Sequence, residues 1–116
     1  MCAAALHPEY AHERALPMKI EVHRDACCAA DDQAGPLVMD MELDGRMPLC
    51  DFINLVLESG FLQYSSSHTS MLGYVGAIAI VQVHSPYYSK EKTKYLIEST
   101  TPIQEVLASG SIDFRF

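Results

Sequence analysis

Two nine-residue stretches, fifty residues apart, share one pattern: VLESGFLQY from Val56 to Tyr64 and VLASGSIDF from Val106 to Phe114. Four positions are identical, and Leu62/Ile112 and Tyr64/Phe114 are close. Each stretch ends an apolar stripe. Leu49, Phe52, Ile53, Val56 and Leu57 fall at i, i+3, i+4, i+7 and i+8, the spacing of one buried helix face. Ile103, Val106 and Leu107 make a shorter stripe. Gly60 and Gly110 stand where a helix leaves through a left-handed C′ residue. A chain with two short helices, each feeding a following strand, is confined to mixed helix–sheet architectures. The echo is what helix-to-strand turn physics selects, and it reports architecture rather than an active site.

The helix starts carry signals too. Pro48 suits the first helical turn, where its missing N–H costs nothing, and Asp51 favours the positive dipole end. Thr101-Pro102-Ile103-Gln104 fits a capping box, with Thr101 as N-cap, Pro102 at N1 and Gln104 at N3. Around the helices the period changes to two. Met18–Arg24 places Ile20 and Val22 opposite Lys19, Glu21 and His23. Leu37–Leu43 places Leu37, Met39, Met41 and Leu43 opposite Asp40 and Glu42, and Asp44-Gly45 ends it as a turn. Phe61–Tyr64 reads as a strand. Leu72–His84 is apolar on both sides over much of its length, as one central strand covered on both faces would be. Thr93–Glu98 is a further strand, and Ser111–Phe116 alternates Ile112, Phe114 and Phe116 inward. The expected order is β-β-α-β-β-β-α-β: one α+β domain, with a mixed or antiparallel sheet and two helices on one face. The other face is left partly open.

The length of 116 residues suits a single domain with its own core. Residues 1–17 contain Pro8 and Pro17 and show no apolar period, so they read as a poorly ordered tail, with the domain at 18–116. No basic start and no sustained apolar segment mark a signal peptide, and Met71–Val81 is too short to cross a bilayer as a helix. Cys2, Cys27, Cys28 and Cys50 form no CxxC pair, and reduced thiols in a cytoplasmic protein are expected.

The formal net charge is −7, and one third of the chain holds all of it. Between Asp25 and Glu58, eight acids face Arg46 alone, whereas the remaining seven acids and seven bases cancel. Such a field disfavours nucleic acid and anionic membrane surfaces and favours a basic protein partner. A merely solvating surface is the plainer alternative. No phosphate loop, GxGxxG, GxSxG or HExxH motif is present. His23, Cys27 and Cys28, with neighbouring acids, are the residues from which a small metal-binding or thiol-dependent enzyme domain could be built. The plainer reading is an acidic loop of small residues. His68 lies in a Ser-rich loop and His84 at a strand end, both without an evident chemical partner. Tyr87 and Tyr88 fall in a turn, where two buried rings are hard to place, which makes them a candidate contact.

VHRDACCAADD, Val22 to Asp32, and the closing SIDFRF resemble a family of small bacterial proteins. Its members open on a strand, an Arg-Asp step, a Cys-containing loop and a double Asp, and close on an F-R strand. Some look like immunity proteins encoded beside secreted polymorphic toxins. The resemblance spans Met18 to Phe116 and departs at Gln33-Ala34-Gly35, where the family has an acidic residue and then Pro. It brings no catalytic residues and no cofactor. It implies a non-enzymatic protein that neutralises a cognate, basic toxin or effector through an acidic surface. The contact residues expected are Asp25, Asp31, Asp32, Asp40, Glu42 and Asp44, with Tyr87 and Tyr88 as a second set. No nucleic-acid or membrane partner is expected; self-association through a sheet edge is a further reading.

Overall fold

The computed structural model describes residues 17–27 and 36–116. Its elements are β1 (Pro17–Arg24), β2 (Val38–Asp44), α1 (Leu49–Glu58), β3 (Ser70–Val75), β4 (Ile78–His84), β5 (Lys94–Tyr95), α2 (Ile103–Val106) and β6 (Ser111–Arg115). The strands form one sheet in the order β2-β1-β6-β3-β4-β5. β1 and β6 pair in parallel at the centre, and every other pairing is antiparallel. A mixed sheet with two helices is the α+β class that the periodicities predict.

One buried cluster joins helices and sheet. Leu49, Phe52, Ile53 and Val56 of α1 and Ile103 of α2, with Leu107 just beyond it, meet Ile20 and Val22, Met71, Val81 and Val83, and Ile112 and Phe114. These sheet residues are inward members of period-two patterns, so both helices cover one face. Lys19, Glu21, Asp40 and Glu42 alternate with them and are exposed on the other face.

The predicted element order is met, though two differences cancel in it. Phe61–Tyr64 is not a strand. Phe61 and Leu62 are buried, but this backbone runs irregularly after Gly60. Leu72–His84 is not one strand but the hairpin β3–β4. The run exceeds the usual strand length of about 5–6 residues. Gly76, at φ +62°, occupies the first central position of the two-residue turn, as a type II′ turn requires. The strand expected at Thr93–Glu98 contracts to Lys94–Tyr95. Gly60 and Gly110 do take positive φ, 72° and 82°. The echoes share a positive-φ glycine but not the helix end: Gly60 directly follows the α1 C-cap Ser59, whereas α2 stops at Val106 with C-cap Leu107, so Gly110 is not its C′ residue, and only the second echo feeds a strand.

The helix starts also depart from expectation. Pro48 and Pro102 are the N-cap residues themselves, and neither helix has a side-chain cap bond. The Thr101–Gln104 capping box does not form. Each helix instead receives carbonyl oxygens from the segment leading into the other. Leu49 N–H donates to Thr101 O and Cys50 N–H to Ser99 O, both at 2.9 Å. Ile103 N–H donates to Met47 O and Gln104 N–H to Gly45 O, both at 2.8 Å. The first amides of a helix need acceptors from outside it, and reciprocal backbone bonds supply them. Pro48 and Pro102 pair at the middle of this junction.

Phe116, expected inward, is 39% exposed. Cys50 is fully buried in the core, and Cys2 and Cys28 lie outside the described residues. No helix among the described residues is long and apolar enough to cross a membrane.

Candidate partner-binding surfaces

The face that neither α1 nor α2 covers is, among the described residues, a charged lattice set by strand register. Lys19 lies opposite Glu42, Glu21 opposite Asp40, and His23 opposite Val38 on β2 and Asp113 on β6. Toward the sheet centre the polar side chains find partners. His23 Nε2 is 3.1 Å from Glu21 Oε1, and Arg115 Nη2 is 3.3 Å from Asp113 Oδ2. The Arg115 guanidinium also sits 4.8 Å from the Tyr74 ring centroid. Toward the β2 edge the balance is acidic. A shallow concavity of about 640 Å³ is lined there by Glu21, Asp40 and Glu42, with Lys19 as its basic side chain and Ser109–Ser111 at its rim.

The expected contact residues that are described do not share one patch. Asp40 and Glu42 project from β2 on the open face. Asp25 is exposed beyond the end of β1, and its Oδ2 accepts the Phe116 N–H at 3.2 Å, tying two chain segments together. Asp44 is a correction. Its side chain is only 13% exposed and closes a local turn, accepting from Arg46 N–H (3.0 Å), Nε (3.1 Å) and Nη2 (2.9 Å). A carboxylate so engaged shapes the β2–α1 turn and offers little to a partner. Asp31, Asp32 and Cys28 lie outside the described residues. Of the alternative metal or thiol set, His23 pairs with Glu21 and Cys27 is half-buried in the loop after β1. Among the described residues, no group of three His, Cys, Asp or Glu side chains is placed to hold a metal ion.

Tyr87 and Tyr88 are exposed as expected, at 90% and 54%. They lie beyond the end of β4, four strands from β2 and thus roughly 19 Å across the sheet from Asp40 and Glu42. Buried Ser85 fixes their backbone, because its Oγ accepts both Tyr87 N–H and Tyr88 N–H at 3.1 Å. The pair lines a cleft of about 700 Å³ with Glu58, Leu62, Tyr64 and His84. The Tyr64 hydroxyl is buried with no hydrogen-bond partner, and burial pushes its pKa up to about 12. It is therefore a neutral phenol across the physiological range. The sequence does not bring Glu58, Tyr64 and His84 together, since they belong to unrelated local patterns. The one available signal is the proximity of Tyr87-Tyr88 to a strand end.

Asp51 is a buried acid outside both surfaces. It sits in the first turn of α1, yet burial raises its carboxyl above the ordinary value, and its Oδ2 has no hydrogen-bond partner. The Tyr95 phenol is raised first by its own burial and second by the nearby Asp51 charge.

No family model matches the chain, and no curated protein matches it. Among solved structures the chain is similar to the C-terminal ubiquitin-like domain of mouse tubulin-specific chaperone e. The two align over 90% of each chain at 9% identity with a TM-score of 0.44.

Proposed function

We propose that the chain is a non-enzymatic, immunity-type protein that binds a cognate basic toxin or effector through the open sheet face and neutralises it by covering its active surface. The supporting observation is the direct opposition of Glu21 and Asp40 across β1 and β2, with Glu42 beside them. Like charges directly opposite one another weaken a sheet. A face that keeps this cost while leaving Asp40 and Glu42 in solvent is suited to a partner that supplies the missing positive charge. The edge position of β2 gives these acids a second effect, since charge on an edge strand discourages pairing with other chains.

Calorimetry with the product of the adjacent gene tests the reading. A tight one-to-one complex, together with loss of that product's toxicity, is the expected result. Absence of binding overturns it. The face is tested by the double variant Asp40→Lys, Glu42→Lys. Its association rate is expected to fall at least about tenfold at low salt, and less at high salt. An unchanged rate at low salt removes this face from the interface.

A further inference from the structure

The tyrosine cleft carries a second inference, on residues that the acidic-face reading does not use. Four features of it favour positive charge. Tyr64, Tyr87 and Tyr88 line it, and an aromatic ring attracts a cation placed over its face. Glu58 contributes a carboxylate. The wall formed by Leu57 and Glu58 is the C-terminal, negative end of α1, a ten-residue helix with no basic residue in its last turn. No lysine or arginine lines the cleft among the described residues.

The cleft is also prepared for an occupant. Ser85 is fully buried, donates its N–H to Thr69 O at 2.8 Å, and holds the Tyr87 and Tyr88 amides on its Oγ. The turn carrying the two rings is therefore fixed before anything binds, which lowers the ordering cost of binding. Tyr87 leaves nine-tenths of its surface in water, so nothing among the described residues covers that ring. We propose that the cleft receives the cationic side chain of a lysine or arginine on a partner polypeptide, held over the tyrosine rings and against Glu58.

The test is ¹⁵N–¹H NMR of the full chain, titrated with acetyl-Gly-Gly-Lys-Gly-Gly-amide, its arginine counterpart and the Nε-acetyl-lysine control. Shifts concentrated at Gly60, Tyr64, Tyr87 and Tyr88 with both cationic peptides, and lost with the acetylated one, are expected. Tyr87→Ala and Glu58→Gln, both at exposed positions that folding does not require, are each expected to weaken the lysine peptide about 2- to 5-fold. Equal shifts with the acetylated peptide would make the cleft an apolar groove and overturn the proposal. So would shifts confined to Asp40 and Glu42, or no shifts at all. Failure here leaves the acidic-face reading intact, because that reading is tested with a different partner and different variants.

Discussion

Tyr64 and Gly73 show how much single atoms decide. The Tyr64 hydroxyl is buried without a partner, and an unmade buried hydrogen bond costs about 1–3 kcal/mol. Tyr64→Phe removes the hydroxyl and keeps the ring, so it is expected to stabilise the protein by about 1 kcal/mol in chemical denaturation. The pH dependence has a definite sign. The unfolded phenol ionises near 10.0 and the folded one near 12, so over that window the unfolded state holds fewer protons. Stability is full below pH 10 and is lost as pH rises toward 12. The advantage of the Phe variant should therefore widen across that window, and denaturation at a series of alkaline pH values measures it. Gly73 is the reverse case, a missing atom that the core requires. A Cβ there would lie 2.8 Å from Val81 Cγ1 and 3.0 Å from Phe114 Cε1. Gly73→Ala should destabilise by about 1–3 kcal/mol, read as a lower Tm.

At the scale of elements, the junction of the two helix starts is the feature with most consequence. A capping box at Thr101 would make Thr101→Ala cost about 1 kcal/mol. With backbone carbonyls from the opposite lead-in doing the capping, the same variant is expected to change stability by less than about 0.5 kcal/mol. Thermal denaturation distinguishes the two. The elements themselves were legible to different degrees. β1, β2, α1 and β6 declare themselves through period, because each is half-buried and its pattern is imposed along its own length. The β3–β4 hairpin did not, because both of its strands are largely apolar and its Gly76-Ala77 turn lacks the usual Asn or Asp. Phe61 and Leu62 look like strand residues because they are buried, yet they are buried without a ladder.

For the whole molecule, register turns sequence acidity into a located field. Asp40→Asn removes the like-charge opposition to Glu21 and is expected to raise stability by a few tenths of a kcal/mol, up to about 1 kcal/mol. The same change should slow association with a basic partner, so stability and binding are expected to move in opposite directions. Paired denaturation and stopped-flow measurements check both. Of the expected contact residues, the fold leaves Asp40 and Glu42 on the open face, turns Asp44 inward to Arg46, and carries Tyr87 and Tyr88 to the far side of the sheet.

The amino-acid order alone determined the α+β class, the inward faces of β1, β2 and β6, the α1 stripe and the glycine turns at 60 and 110. All of these depend on neighbours within about one or two turns of chain. Only the tertiary structure decided the central parallel pairing of β1 with β6, the reciprocal capping of the helices, the steric need for Gly73, and the assembly of Glu58, Tyr64, Tyr87 and Tyr88 into one cleft. Each joins backbone or side-chain groups distant along the chain, and no local periodicity records which distant group a donor, a ring or a charge will meet.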